Sequence, residues 1–366
     1  MNKRKVLVIS NMYPTNEHKS FGIFVKNQVE ALKEEGLDMD VIAIKNPSGG
    51  KVNVLMKYFG WFLKAFINAI FKGKQYEVVH AHYIFPSGML GLIYKKLWNT
   101  RLVVTSHGGD IDKMARKNQR IFDWTKKILH ESDEVIAVGE ELKEKIHSEF
   151  LVPNEKISLL NMGVNRETFK PLQKKEARKS LGLPEDVIPI LFVGNIIKQK
   201  GLLELIEAIN RIRKEISVKL YIIGAAKDPS FKTRLDQAIE EKGLHESVEY
   251  LGVKDQMEIA VWMSAAEAFV LPSHIEGFGL VALEAMSCGT PVVGTNVGGL
   301  RYLLANGSGV LVEKENPGNL ADGIKKAIGD SLEKEMLIEN GYNKAEENDQ
   351  KTIIKKVLTL YFPTGG

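Results

Sequence analysis

The chain has 366 residues, 44% of them hydrophobic, so it is long enough for two separate cores and we expect two domains. Its net charge is +4, and its single cysteine, Cys288, excludes an intrachain disulfide and favours the cytosol. The first apolar run, at residues 5–10, has the length of a strand and no small-residue cleavage site follows it. We interpret it as a first strand rather than a signal peptide.

Strand-like apolar runs alternate with helical patterns along the chain, which predicts an α/β fold of parallel sheets with crossover helices. The predicted strands are 5–10, 39–44, 77–82, 102–106, 134–138, 156–161, 188–193, 218–223, 248–251, 268–271, 291–294 and 309–312. A linker is expected near 163–174. We predict Rossmann-like domains at 1–165 and 166–348, followed by a terminal helix within 349–366.

Positive charge is concentrated in the first domain. From Lys51 to Lys127 there are 14 Lys or Arg residues against 4 Asp or Glu. No nucleic-acid-binding motif accompanies them, so an anionic membrane surface or lipid diphosphate is the better-matched partner. Residues 54–71 are apolar with a narrow polar side, and two lysines argue against a spanning helix. Two interpretations stay open: an interfacial membrane helix, and a crossover helix packed on the sheet.

Two features of the first domain are candidates for ligand contact. His107 follows the strand 102–106, at the sheet edge where open α/β sheets bind ligands. Gly22 precedes a helix in the first loop, where a glycine permits close approach to an anion; a plain helix-start glycine is the alternative. No G-x-G-x-x-G follows the first strand, which counts against a dinucleotide oxidoreductase.

Two patterns in the first domain superficially resemble metal sites. Asp38 and Asp40 form a D-x-D at the start of a strand, and we assign them to the surface. His80 and His82 alternate on one strand and so point the same way, but no third ligand is evident. We therefore expect no metal.

The second domain contains a pattern suited to a nucleotide-sugar. Gly194 and Asn195 follow a strand, and Lys200 near the next helix start would neutralise a diphosphate. Further along, Glu276 lies in a loop and Glu284 in the helix that follows. One carboxylate would accept from sugar hydroxyls and the other from a ribose. Backbone amides for phosphate are expected at Gly277 in the loop and at Phe278, Gly279 and Leu280, and we place Phe278 and Gly279 in the first turn of the helix.

The segment 273–284 resembles the donor-site motif of the family 4 retaining glycosyltransferases, and the resemblance continues through 288–299. Segments 106–110, 163–171, 192–201 and 250–252 follow in the family's order. The resemblance therefore covers nearly the whole chain. It implies the GT-B fold, in which two Rossmann-like domains face each other across a cleft and the terminal helix returns to the first domain.

The resemblance also implies a role for each site residue. Lys200 and the amides near Gly279 stabilise the leaving diphosphate without a metal or other cofactor. Glu276 holds the transferred sugar and Glu284 the ribose, while His107 contacts the sugar or shapes the acceptor pocket. The nucleotide base lies at the backbone of Val253 and Lys254. Family members usually carry Arg where Asn195 stands, so one expected cation is missing.

These features predict a retaining hexosyl- or N-acetylhexosaminyltransferase of cell-surface polysaccharide assembly. We expect a UDP-sugar donor, a lipid-linked or glycan acceptor, and a position on the inner face of the cell membrane. A GDP-mannose-dependent mannosyltransferase is the alternative donor class. A nucleotide-sugar epimerase, a phosphorylase-like enzyme and a noncatalytic scaffold are the competing classes. The scaffold is disfavoured by the intact site residues His107, Lys200, Glu276 and Glu284.

Overall fold

The structure is a computed structural model that describes residues 4–19, 21–47, 49–329 and 332–363, with only the backbone described at Lys51. Contacts divide the chain into two compact units. The first unit contains Met1–Met162 together with Gln350–Gly366, and the second contains Gly163–Asp349.

The first unit is a parallel six-stranded sheet in the order β2-β1-β3-β4-β5-β6. Its strands are β1 (Lys5–Ser10), β2 (Asp38–Ala43), β3 (Val78–His82), β4 (Arg101–Ser106), β5 (Glu134–Ala137) and β6 (Ile157–Leu159). Its helices are α1 (Ile23–Glu34), α2 (Lys51–Lys72), α3 (Met89–Trp98), α4 (Gln119–Glu131) and α5 (Glu140–Phe150). The strand order reverses between β1 and β3, and open sheets bind ligands at the carboxyl ends of strands at such a point.

The second unit repeats this architecture in the order β12-β11-β10-β7-β8-β9, again all parallel. Its strands are β7 (Ile188–Val193), β8 (Val218–Ile223), β9 (Val248–Gly252), β10 (Ala268–Leu271), β11 (Val292–Thr295) and β12 (Val310–Val312). Its helices are α6 (Lys174–Ser180), α7 (Leu202–Ile212), α8 (Pro229–Glu241), α9 (Gln256–Ala265), α10 (Leu280–Ser287), α11 (Gly298–Leu303), α12 (Pro317–Ile328) and α13 (Leu332–Glu347). Here the order reverses between β7 and β10.

The last helix, α14 (Gln350–Tyr361), belongs to the first unit. Its buried face, including Ile353 and Val357, joins the same hydrophobic core as Val6 and Val29. The predicted return of the terminal helix to the first domain is confirmed. Every predicted strand is also present, because strands buried on both faces of a parallel sheet read as short continuous apolar runs.

Helix α2 buries only a narrow stripe. Trp61, Ala65 and Ala69 are buried, and Trp61 Nε1 donates a hydrogen bond to the Ile42 carbonyl at 3.1 Å. The large apolar side chains of α2 that are more than two-thirds exposed are Val52, Leu55, Met56, Phe59 and Phe71. By length and composition alone the segment Val52–Gln75 qualifies as a candidate membrane span. Only 17% of its 18-residue apolar stretch is buried, unlike the core helix of a globular domain. Packing on β2 and on α3, whose Tyr94 and Trp98 donate to the carbonyls of Ala65 and Ala69, therefore accounts for one stripe of this helix and leaves most of its apolar surface uncovered.

Candidate active site

Two predicted site residues meet at the carboxyl edge of the second sheet. Lys200 ends a single 3-10 turn after β7, and Glu276 lies in the loop after the neighbouring strand β10. Lys200 Nζ lies 2.6 Å from Glu276 Oε2, and Ser273 Oγ donates to the same oxygen at 3.1 Å. The side chains of Lys200 and Glu276 are only 20% and 16% exposed. The pair is thus largely shielded from water while part of each side chain remains accessible.

Close backbone packing holds the two loops together. Gly201 has a φ of +67°, and a Cβ there would lie 1.9 Å from the carbonyl oxygen of Pro272. The amide of His274 donates to the Gln199 carbonyl at 2.9 Å. Any side chain at position 201 would therefore push apart the loops that carry Lys200 and Glu276.

The loop after Glu276 leads into α10. Gly279 is the N-cap of this helix, with a φ of +92° and no capping side chain. Phe278 and Gly279 therefore precede the first turn, and our prediction that they lie within it is wrong, because the left-handed conformation at Gly279 is not helical. The amides of Leu280 and Val281 open α10 and are the kind that lack intrahelical acceptors and can bind an anion, whereas the amide of Ala282 already donates to the Gly279 carbonyl at 2.9 Å.

The start of helix α11 packs against this loop. At Gly298, which opens α11, a Cβ would lie 1.8 Å from the Glu276 carbonyl oxygen, and at Gly299 it would lie 2.4 Å from Phe278 Cα. The amide of Gly299 also donates to the Glu276 carbonyl at 3.3 Å. Two adjacent glycines thus allow α11 to pack directly against the backbone between Glu276 and Phe278, including Gly277.

Glu284 lies one helical turn beyond Leu280 on α10 and is partly buried. Its carboxylate has no hydrogen-bond or ion-pair partner among the described residues. Burial raises the pKa of this carboxyl group to about 8. An unpaired carboxyl in this environment is poised to gain hydrogen bonds from hydroxyl groups of a ligand.

The loop after β7 carries the other two candidates near Lys200. Asn195 is exposed, and Gly194 donates its amide to the Ile223 carbonyl at 2.9 Å. A Cβ at Gly224, after β8, would lie 1.8 Å from the Gly194 carbonyl oxygen, so the ends of the two strands approach closely. Asn195 therefore extends into solvent from a tightly packed backbone.

Val253 and Lys254 follow β9, farther along the same sheet edge than β8. Val253 is 52% exposed, and Lys254 Nζ pairs with Glu258 Oε1 at 3.0 Å beside the capping box that begins α9. Within the described residues, no hydrogen bond or ion pair joins either of them to the Lys200–Glu276 pair. The structure places them at the carboxyl edge of the second sheet, outside the contact between Lys200 and Glu276.

His107 lies in the first unit, just after β4, among three other rings. Its Nε2 lies 3.1 Å from Nδ1 of His82, which ends the neighbouring strand β3. The rings of Tyr83 and Phe24 each lie 4.8 Å from the His107 ring, centroid to centroid. Asp110 holds the loop by accepting from the His107 amide at 3.2 Å. The loop therefore presents a fixed, partly accessible imidazole.

Burial determines the charge state of this histidine group. It lowers the pKa of His107 and of His80 to about 3, and it lowers the pKa of His82 as well. At neutral pH His107 is therefore an uncharged hydrogen-bonding group. His80 and His82 lie on the same side of β3, as predicted, with ring centroids 4.3 Å apart. Both ring nitrogens of His80 are hydrogen-bonded, one to the Tyr361 hydroxyl and one to the Thr105 hydroxyl.

Gly22 is the N-cap of α1, with a φ of +74°. A Cβ at this position would lie 2.7 Å from the Met12 carbonyl oxygen, so the glycine allows close packing of the chain against itself. The neighbouring Ser20, part of the same predicted loop, lies outside the described residues. The predicted surface carboxylates Asp38 and Asp40 both pair with Lys5 at 3.4 Å.

Comparison with known proteins places this chain in a family. The sequence model of the "Glycosyl transferases group 1" matches residues 173–344, and that of "Glycosyltransferase Family 4" matches residues 22–168. The chain belongs to glycosyltransferase family 4.

Sequence relatives agree with this assignment. A D-inositol 3-phosphate glycosyltransferase of Thermobispora bispora is 34% identical over 72% of this chain, and the match spans 64% of that protein's length. An uncharacterized glycosyltransferase of Methanocaldococcus jannaschii, MJ1178, is 30% identical over 98% of this chain and 97% of its own.

Among solved structures, the sucrose-phosphate synthase of Thermosynechococcus elongatus has a TM-score of 0.81 at 25% identity, with 98% of each chain covered. Anabaena HepE, solved in complex with UDP-glucose, has a TM-score of 0.78 at 19% identity, with 97% of this chain and 98% of that chain covered, and shares the fold. The family 4 chain therefore has the GT-B fold, as its two parallel six-stranded sheets indicate.

Some residues of this family 4 site were not identified as candidates from sequence. Ser273 bonds to Glu276, and Gly298 and Gly299 support the loop below it. The available signal was a Gly-Gly pair opening a helix directly after a strand. His82 was considered only as a metal ligand, although its place at the end of a strand beside β4 puts it next to His107.

Proposed function

We propose that the protein transfers a sugar from a nucleotide-diphosphate sugar to a glycan or lipid-linked acceptor with retention of the anomeric configuration. One observation carries the proposal. The ion pair between Lys200 and Glu276 lies beside the uncapped start of α10, which also carries the unpaired carboxyl group of Glu284. A cation and free amides suit a diphosphate, and two carboxyl groups suit hydroxyl groups of a sugar and a ribose.

The chemistry of transfer depends on the leaving diphosphate. Lys200 has three N–H donors, so its ammonium can keep its bond to Glu276 and still donate to a phosphate oxygen. Such a bond strengthens as the sugar–oxygen bond breaks and charge builds on the leaving group. Glu276, held by Lys200 and Ser273, would then position the transferred sugar.

The same arrangement supports catalysis without a metal ion or other cofactor. Within the part of the chain that the structure describes, no group of three or more His, Cys, Asp or Glu side chains could hold a metal. Lys200 and the α10 amides supply the positive charge instead. Activity should therefore survive EDTA, and loss of activity that manganese or magnesium restores would contradict this part of the proposal.

We also propose that the acceptor is reached at an anionic membrane surface through α2. This helix contains four lysines and no acidic residue, and its exposed side chains include Leu55, Phe59 and Phe71. Apolar side chains with basic neighbours are typical of helices that lie in the headgroup region of anionic bilayers. The protein would then act at the inner face of the cell membrane.

A panel of UDP- and GDP-sugars tests the proposed reaction. We expect release of nucleoside diphosphate from one donor, slow in water and faster with a glycan or lipid-linked acceptor, and the same anomer in product as in donor by NMR. We expect UDP-sugars to be preferred, with GDP-mannose as the alternative. Conversion of the donor to another sugar nucleotide without acceptor would instead identify an epimerase. A Lys200→Ala variant provides the control for background hydrolysis.

A further inference from the structure

The contact between His82 and His107 constrains where the protons of both rings lie. Nδ1 of His82 and Nε2 of His107 are 3.1 Å apart, and the rings lie nearly parallel, at 21°. A hydrogen bond between two nitrogens needs one proton, so one ring donates and the other accepts. Because burial lowers the pKa of both rings, neither carries a second proton at neutral pH.

The far side of His82 distinguishes the two arrangements. Its Nε2 is fully buried and has no hydrogen-bond partner in the part of the chain that the structure describes. If His82 accepted from His107, its own proton would be on this Nε2, where a buried N–H would remain unsatisfied. Buried N–H groups without a partner are rarer than acceptors with an unused lone pair. The lower-cost arrangement therefore puts the proton of His82 on Nδ1, where it is donated to Nε2 of His107.

The consequence for His107 follows directly. Its Nε2 accepts, so its proton is on Nδ1, which has no hydrogen-bond partner among the described residues. The rings of Phe24 and Tyr83 pack against the imidazole and limit its rotation. His107 therefore has one nitrogen bound to the protein and one N–H available to a ligand.

We propose that His82 is a positioning residue that holds His107 as the Nδ1–H tautomer, so that His107 donates a hydrogen bond to an oxygen of the substrate. The identity of that oxygen, a sugar hydroxyl or a phosphate oxygen, rests on the proposed glycosyl transfer. The tautomer itself does not depend on it. In this role His107 stabilises a bound oxygen by donating from Nδ1, because the hydrogen bond at Nε2 sets which ring nitrogen carries the proton.

The test is 15N NMR of the full-length, unliganded protein labelled at its histidine rings, with His107 assigned through a His107→Asn variant. We expect the wild-type His107 to be protonated on Nδ1. Protonation on Nε2 would overturn the proposal, whether or not any variant folds and whether or not transfer activity is found.

Two substitutions at His82 extend the test to activity. His82→Asn keeps an N–H donor near the position of Nδ1 and should preserve both the His107 tautomer and most of the turnover. His82→Phe keeps a ring but removes the donor, so it should release His107 toward Nε2–H and reduce kcat/KM about tenfold, the loss of roughly one hydrogen bond. If the folded His82→Phe protein keeps both the tautomer and the activity of the wild type, His82 does not position His107.

Discussion

Lys200 and Glu276 are separated by 76 residues of sequence, yet Lys200 Nζ and Glu276 Oε2 lie only 2.6 Å apart. The contact joins the residue expected to bind the diphosphate to the residue expected to bind the transferred sugar. Because both side chains are largely buried, their interaction is screened less by water than that of a surface pair. A change at either residue should therefore affect both parts of the donor.

Replacing Lys200 with Ala should be severe. A charge-assisted bond that strengthens as the leaving group gains charge contributes roughly 2 to 4 kcal/mol, so turnover should fall about thirty- to a thousandfold. Lys198→Ala is the matched control, because Lys198 is an exposed lysine in the same 3-10 turn. Equal kcat values for the two variants in steady-state kinetics would show that the diphosphate is bound elsewhere.

Asn195→Arg should add a cation at an exposed position in the same loop as Lys200. If this position faces the diphosphate, the variant should bind the nucleoside diphosphate product more tightly, by about 1.5 to 3 kcal/mol for a bond to a charged group. Isothermal titration calorimetry measures the change. Unaltered product affinity, with a folded protein, would mean that position 195 does not face the phosphates.

Glu284 should make the stability of the unliganded protein depend on pH. Burial raises its pKa from 4.5 to about 8, so the folded state favours the protonated carboxyl group. The contribution to stability is fully present below pH 4.5 and is lost as the pH rises to about 8. Its slope is at most about 1.4 kcal/mol per pH unit.

Glu284→Gln removes this titration and so isolates it. The difference in unfolding free energy between the variant and the wild type should shift in favour of the variant from pH 5 to pH 9. The shift should be on the order of 1 kcal/mol for each pH unit below about 8, and urea unfolding at both pH values measures it. A difference in unfolding free energy that is the same at both pH values would show that Glu284 titrates normally in the folded protein.

Gly201→Ala should disrupt the site through the backbone. A left-handed conformation costs an alanine roughly 1 to 2 kcal/mol. At position 201 a clash with the Pro272 carbonyl oxygen adds to this cost, because the new Cβ would lie only 1.9 Å away. Gly182→Ala is the control, since Gly182 has a similar φ of +64° and nothing within 4 Å of the added atom.

We expect Gly182→Ala to lower the unfolding free energy by the strain alone and to leave kcat unchanged. Gly201→Ala should lower the unfolding free energy further and reduce kcat as well, because it moves the loops of Lys200 and Glu276 apart. Comparable effects of the two alanines on stability and turnover would show that the loops at Gly201 have room to adjust.

Binding to lipid vesicles should require anionic lipid and should weaken with salt, since each engaged lysine contributes about 1 kcal/mol. Replacing Lys57 and Lys64 of α2 with Glu should reduce binding in a sedimentation assay. The control replaces Lys227 and Lys314 with Glu, which makes the same charge change at exposed positions of the second unit. Equal binding to neutral and anionic vesicles, or a dimer in solution without vesicle binding, would contradict the proposed membrane contact.

Local sequence determined the strands and most of the residues of the candidate site. Strands such as β1 and β7 are continuous apolar runs because both faces of a parallel sheet are buried, and this signal needs no knowledge of the partners. The glycine-bearing turn between β10 and α10 was recognisable too, although the left-handed conformation of Gly279 puts this residue before the first helical turn and not within it. Such features depend only on neighbouring residues.

Only the tertiary structure decided which of these residues meet. The order of strands makes β7 and β10 neighbours, and this brings Lys200 to Glu276 across a large separation in sequence. The adjacency of β3 and β4 likewise joins His82 to His107. For α2, the sequence showed an apolar surface too wide to define a buried side, and packing around Trp61 selected one stripe. Contacts between distant segments and the burial that shifts pKa values depend on how the whole sheet assembles, which local patterns do not encode.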